Sequence, residues 1–173
     1  MKVAIGCDPY GFELKENVKR HLIDRRMEVI DLGARAADED QAYYDVAAEV
    51  ASQVSQGDAD RGVLVCGTGM GMAIIANKFP GVYAAVCENA IAAQRARSIN
   101  NANVLTLGGF VTPPEAAGEI VDAWLQTDFA SGWEPDIQAF LGQSMGHIHA
   151  IEDQVFRGSS REKPIATSQT ESS

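Results

Sequence analysis

Residues 66–72 read Cys66-Gly67-Thr68-Gly69-Met70-Gly71-Met72: a thiol followed by three alternating glycines. Without side chains in the way, neighbouring backbone N–H groups can turn inward on one small anion. A helix starting just after the loop would add the positive end of its dipole. Thr68 brings a hydroxyl that can donate to a substrate oxygen. A thiol beside such donors suits abstraction of a proton next to a carbonyl. The base takes the proton and the amides hold the enediolate oxygen. Rival motifs fail on spacing. The dinucleotide fingerprint needs a third glycine where Met72 stands, although Glu88 mimics its ribose-binding acid. A Walker loop needs Gly-Lys-Ser/Thr, and a cysteine phosphatase needs Arg at position 72; neither occurs.

Asp8, in Cys7-Asp8-Pro9-Tyr10-Gly11, reads equally well as a helix cap and as a substrate contact, and the roles are compatible. Cys7 and Cys87 read as small buried hydrophobes. Three widely spaced cysteines without a C-x-x-C argue against a disulfide framework or structural zinc and for a reducing cytoplasm. His21, His147 and His149 form no metal-spaced pair, so no metal is expected, and they read as surface or interface residues.

These residues need elements to position them. Short β-branched runs at Lys2–Cys7, Met27–Leu32, Gly62–Cys66, Val82–Cys87 and Val104–Leu107 read as strands. Between them lie helical patterns: Leu14, Val18 and Leu22; Val46, Val50 and Val54; Gly71–Lys78; Ala90–Ser98; and a helix opened by Pro113-Pro114. Five strands alternating with helices predict a three-layer αβα sandwich with a five-stranded parallel, Rossmann-like sheet. Strand order is not derivable from the pattern. A C-terminal helix is expected from Pro135 to about Phe156, either folded back on its own domain or packed on a second subunit. The division is therefore 1–130 for the αβα domain, 131–157 for a helical extension at a subunit interface, and 158–173 for a Ser/Thr-rich disordered tail.

The chain has 173 residues, 46% of them hydrophobic, and a net charge of −10. That excludes whole-chain disorder and makes nucleic acid and anionic membranes poor partners. No apolar run is long enough to span a bilayer, and the N-terminus carries no signal-peptide pattern.

The chain resembles the type B ribose-5-phosphate isomerases and the related galactose-6-phosphate isomerases. The matching segments include Gly6-Cys7-Asp8 with Gly11, Asp31-Leu32-Gly33, Cys66-Gly67-Thr68-Gly69-Met70-Gly71, Ala76-Asn77-Lys78-Phe79-Pro80-Gly81 and Asn100-Asn101-Ala102-Asn103-Val104-Leu105. The resemblance implies a homodimer or homotetramer with sites shared between subunits. It also implies cofactor-free aldose–ketose isomerisation of a small sugar phosphate through a cis-enediol. By position, Cys66 would be the base and Thr68 would assist at the sugar oxygens. Amides of Gly67, Gly69, Met70 and Gly71 would hold the enediolate. Asp8 and Tyr43 would bind hydroxyls, and Asn100 would come from the neighbouring subunit.

The departures narrow the substrate. Pro9 and Ile99 stand where typical members carry histidines, the second of which opens the furanose ring. Phe110 and Trp133 stand where arginines grip phosphate, with Arg35, Lys78, Arg95 and Arg97 as possible replacements. A four-carbon sugar blocked at O4 cannot form a five-membered ring and needs no ring opener. The expected substrate is therefore an open-chain tetrose 4-phosphate. The alternatives are ribose-5-phosphate or galactose-6-phosphate isomerisation, the latter with a partner chain, and non-catalytic sugar-phosphate binding. Retention of the thiol beside an intact glycine loop argues against the last.

Overall fold

Strand β1 spans Lys2–Cys7, as the unbroken apolar run predicts. Four more follow: β2 Glu28–Asp31, β3 Arg61–Cys66, β4 Ala84–Val86 and β5 Val104–Gly108. The helices are α1 Phe12–Asp24, α2 Tyr43–Gln56, α3 Met70–Ala76, α4 Ala90–Asn100, α5 Pro114–Leu125 and α6 Pro135–Arg157. This computed structural model describes residues 1–157; the tail expected over 158–173 lies outside the described residues.

All strands pair in parallel, in the order β2-β1-β3-β5-β4. The chain leaves β1 toward β2 on one side and returns to β3 on the other. The β1/β3 boundary is thus a topological switch point, and ligands in open α/β sheets bind beyond the carboxyl ends of strands at such a point. Cys7 and Cys66 end those two strands.

Alternate side chains sort into two cores. Val3, Ile5 and Cys7 face Leu14, Val18 and Leu22 of α1, Ala93 and Ala96 of α4, and Ile120, Val121 and Trp124 of α5. Ala4, Leu64 and Cys66 face Val46, Val50 and Val54 of α2 and Met72 and Ala76 of α3. The helices thus cover both sheet faces, and the expected αβα sandwich is the observed one.

Several bounds shift by a residue or two, and for α3 and β4 the cause is visible. Helix α3 stops at Ala76 rather than Lys78 because Asn77 bonds the backbone of Ala84 in both directions, at 2.8 and 3.0 Å. That clamp turns the chain into β4. Strand β4 itself is only three residues, because the Tyr83 N–H is taken by the Asn103 side chain at 2.7 Å rather than by a neighbouring strand.

Helix α6 folds back on its own chain. Leu141 and Met145 are buried, Arg95 stacks on the Trp133 ring 4.7 Å from its centroid, and the Glu152 carboxylate accepts from the Gly81 N–H and the Tyr83 hydroxyl. Its apolar residues Ile137, Phe140, Ile151 and Val155 stay exposed. Among the described residues, no helix is long and apolar enough to cross a membrane.

Candidate active site

The loop after β3 is fixed from beneath by the loop after β5. The Gly109 N–H donates to the Cys66 carbonyl at 2.7 Å and the Phe110 N–H to that of Gly67 at 2.9 Å. Gly69 turns the chain into α3 with φ +76°, and a Cβ there would press on the Leu107 backbone at 3.0 Å. Only glycine meets both demands. The turn aims the Gly69 N–H at the Cys66 sulfur, 3.1 Å away. One amide of the loop is therefore committed to the thiol. The Met70 N–H reaches toward Thr68 Oγ1 at 3.4 Å, and the Gly71 and Met72 N–H groups lie in the first turn, without acceptors inside the helix.

Two aromatic rings flank this loop. A Cβ on Gly71 would come within 2.8 Å of the Tyr43 ring, and one on Gly67 within 2.7 Å of the Phe110 ring. Tyr43 and Phe110 are thus packed directly onto backbone left bare by glycine. Thr68 is exposed between them, whereas Cys66 keeps only 6% of its surface.

Asp8 follows β1 and is 94% buried in the sense that 6% of its surface remains open. Its Oδ1 accepts from the Gly11 N–H at 3.0 Å and caps a 3-10 turn over Pro9–Gly11, so the capping reading holds. Burial pushes its carboxyl above the usual range, partly offset by N–H donors from Gly11 and Tyr10. Asp8, Pro9, Tyr10, Asp40, Gln41, Ala42 and Tyr43 line a cleft of about 350 Å³. Among the described residues, the buried Gln41 Oε1 has no hydrogen-bond partner. A second cleft, about 340 Å³, lies between Tyr10, Glu13, Phe110 and Thr112. The linings of both stop short of Cys66.

Burial pushes Cys7 up to about 12 and Cys87 up to about 11. Both are the small buried hydrophobes expected. His21 bridges α1 to Asp122 of α5 at 2.8 Å, and His149 stacks on Tyr83.

A cationic side chain of α1 moors the start of the segment that runs from β2 to α2 and carries Gln41. Lys15 of α1 is fully buried and donates to both Asp31 oxygens, at 3.1 and 2.9 Å, and to the Ala34 carbonyl at 2.9 Å. Lys19 adds a 2.7 Å bond to Asp31. Burial alone would raise the Asp31 carboxyl, but the bonds from Lys19 and Lys15 outweigh it and hold it below the usual range.

Not every expected residue gathers here. Asn100 ends α4, next to the amino ends of β4 and β5, while Cys66 lies at the carboxyl end of β3. Arg97 is buried on the Thr127 carbonyl, the Asn101 side chain and the Ala102 carbonyl. Arg95 is taken by Trp133, Lys78 lies in the α6 groove, and Arg35 shares a cleft with Glu39 and Glu49. Sequence reasoning does not single out Tyr10 or Gln41. The only signal for them is their position just after β1 and just before α2, at the switch point.

Comparison with known proteins agrees with this geometry. The Ribose/Galactose Isomerase family profile matches residues 3–138. The 4-deoxy-4-sulfo-D-erythrose isomerase of Clostridium sp. (strain MSTE9) is 41% identical over 157 residues, covering 91% of this chain and 99% of its own. The D-erythrulose-4-phosphate isomerase of Pectobacterium atrosepticum is 42% identical over 132 residues, covering 76% and 87%. Among solved structures, the ribose-5-phosphate isomerase B of Clostridium thermocellum superposes with a TM-score of 0.81 at 39% identity, covering 90% and 99%. The family profile spans most of the chain, and these relatives match it over most of their own length: the chain is a sugar isomerase and belongs to the Ribose/Galactose Isomerase family.

Proposed function

We propose that the chain interconverts the aldose and ketose forms of an open-chain four-carbon sugar bearing an anionic group on C4, with Cys66 as the base. The observation that carries the reading is the Gly69 N–H aimed at the Cys66 sulfur, a donor placed to hold a thiolate at the mouth of an amide-lined loop. The thiolate takes the proton from the carbon beside the carbonyl. The C–H electron pair becomes the C=C bond, and the carbonyl oxygen takes the charge. The same thiol returns the proton to the neighbouring carbon once the oxygens have exchanged theirs. Gly71 and Met70 amides and the Thr68 hydroxyl serve those oxygens, together with Gly67. Asp8 and Tyr43 hold the hydroxyls.

Four carbons suit a site with Ile99 where a ring-opening acid would stand. Two relatives are named for four-carbon substrates. The end group is a phosphate or a sulfonate. The sulfonate is favoured because the match to the sulfo-sugar isomerase is 25 residues longer than the 132-residue match to the phosphate enzyme, and because, among the described residues, neither cleft is lined by Lys or Arg.

A second copy of the chain completes the site. Asn100 lies at the wrong end of its own sheet to reach its own Cys66. Ile74 and Ile91 are 61% and 71% exposed, and α6 presents Ile137 and Phe140, so an apolar surface is available for pairing. A homodimer with shared sites follows, with residues 131–157 at its interface. Three free cysteines suit a cytoplasmic setting.

The test is solvent deuterium entry at the carbon beside the carbonyl, followed by NMR over four- to six-carbon sugars with either end group. Tetroses are expected to exchange and isomerise. Cys66→Ser should lose exchange by about 10²-fold or more while still binding the sugar. Rapid turnover of ribose 5-phosphate with none of the tetroses would refute the substrate assignment. Exchange surviving in Cys66→Ser would refute the base.

A further inference from the structure

Lys15 is an ammonium with no surface open to solvent. Taking a charge out of water is expensive, and apolar side chains often stabilise as well as a buried ion pair does. What a buried charge adds is place, and the contacts of Lys15 close a ring around Asp8. Its Nζ donates to the Ala34 carbonyl at 2.9 Å. The Ala34 N–H donates in turn to the Cys7 carbonyl at 3.0 Å, so Ala34 is pinned at both of its backbone groups. The Cys7 carbonyl belongs to the peptide that joins Cys7 to Asp8. The N–H of that same peptide donates to the Val65 carbonyl at 3.3 Å. Asp8 then caps the turn Pro9–Gly11 through the Gly11 N–H. Helix α1 starts directly after that turn, at Phe12, and brings Lys15 back over the Phe12 ring, 5.3 Å from its centroid.

The neutralising carboxylates are a separate matter from the ring. Lys15 meets Asp31 at 2.9 Å and Glu16 at 2.6 Å, and Lys19 reaches the same two carboxylates at 2.7 and 2.6 Å. The Ala34 carbonyl, by contrast, is bonded by Lys15 and, at 3.9 Å, by the Cys7 thiol. The register that sets Cys7 against Val65 continues into Asp8 and Cys66, so a displacement of Asp8 is a displacement relative to the base.

We infer that Lys15 is a positioning residue for the reaction: by holding Ala34 it fixes the peptide that aims the Asp8 carboxylate at a substrate hydroxyl. The inference rests on the reading of Asp8 as a hydroxyl-binding group. Lys15 is fully buried and acts through Asp8. Without Nζ, Ala34 keeps only the long thiol contact on its carbonyl, and the Cys7–Asp8 peptide is held chiefly from the Val65 side. The carboxylate stays at the cleft and loses its aim.

A double-mutant cycle in kcat/KM supplies the test, run with the best substrate of the sugar panel above. Asp8→Ser keeps the cap, because serine caps as well as aspartate, and removes the carboxylate. It should lower kcat/KM by about tenfold or more, the loss of a charge-assisted hydrogen bond. Lys15→Met should raise KM by about fivefold with kcat within about twofold. In the Asp8→Ser background the same change should alter kcat/KM by less than about twofold, since no carboxylate is left to aim. Lys19→Met, which touches the shared carboxylates and not the ring, should leave KM within about twofold. Urea melts report whether each variant is folded; if Lys15→Met is not, Lys15→Gln, a shorter polar side chain, runs the same cycle. No change in KM, an equal loss in both backgrounds, or an equal rise in KM in Lys19→Met overturns the inference alone. No effect of Asp8→Ser on kcat/KM overturns the reading of Asp8 and the inference with it.

Discussion

Gly71→Ala separates a binding contact from the proton-transfer machinery. Gly71 is the second residue of α3 and its backbone is not left-handed, so alanine fits the helix and gains up to about 1 kcal/mol over glycine. Against this, the new methyl would sit 2.8 Å from the Tyr43 ring. Tyr43 is 40% exposed and can swing outward, losing on the order of 50 Å² of contact, or about 1 kcal/mol. The two effects nearly cancel, so urea unfolding should place Gly71→Ala within about 1 kcal/mol of the parent. The displaced hydroxyl should lose one neutral hydrogen bond to the sugar, roughly 0.5–1.5 kcal/mol, which raises KM by roughly 2- to 10-fold and leaves kcat nearly unchanged. Gly69→Ala is the contrast. Its φ of +76° costs alanine about 1–2 kcal/mol, its methyl meets Leu107 backbone that cannot yield, and the N–H on the Cys66 sulfur shifts, so stability and kcat should both fall. Loss of kcat at constant KM in Gly71→Ala, or destabilisation equal to that of Gly69→Ala, would refute the placement of Tyr43 as a binding wall.

Three further expectations concern stability and the thiols. Lys15→Met leaves the Ala34 carbonyl with only the long Cys7 thiol contact at 3.9 Å and Asp31 with Lys19 and the Gly33 N–H; because Asp31 is partly exposed and keeps those partners, the loss should be about 2–3 kcal/mol by urea midpoint, against at most about 1 for Lys19→Met. The carboxyls of Asp31 and Glu16 are held below their ordinary values, burial being outweighed by the lysine bonds, so their contribution is complete above about pH 4.5 and disappears as pH falls through their lowered values. Acid denaturation followed by circular dichroism should therefore begin at higher pH in Lys15→Met than in the parent. Iodoacetamide at pH 8 should modify Cys66 before Cys7 or Cys87, which burial keeps protonated, and peptide mass spectrometry should find the native-state label absent from Cys66→Ser.

Local pattern made much of the architecture legible. Lys2–Cys7 is a strand to the residue because a strand buried on both faces is apolar throughout. The end of α2 at Gly57 was equally plain, since the cap there has φ +78°. What pattern could not carry was non-local. The shortening of α3 depends on Asn77 finding Ala84, and the strand order depends on which edges meet. The thiol and its glycines stand out because spacing itself is their chemistry. Tyr10 does not, because an exposed tyrosine beside a proline has no distinctive spacing; only its contact with Phe110 gives it meaning. Asp8 kept both of its readings, since one oxygen caps a turn while the carboxyl still borders a cleft.

The separation of Asn100 from Cys66 by the full length of the sheet has a genetic corollary. If neither copy owns a whole catalytic centre, damage to one gene product is inherited by its neighbour. Two defective alleles broken at opposite poles can then rescue each other inside a mixed pair, whereas two broken at the same pole cannot.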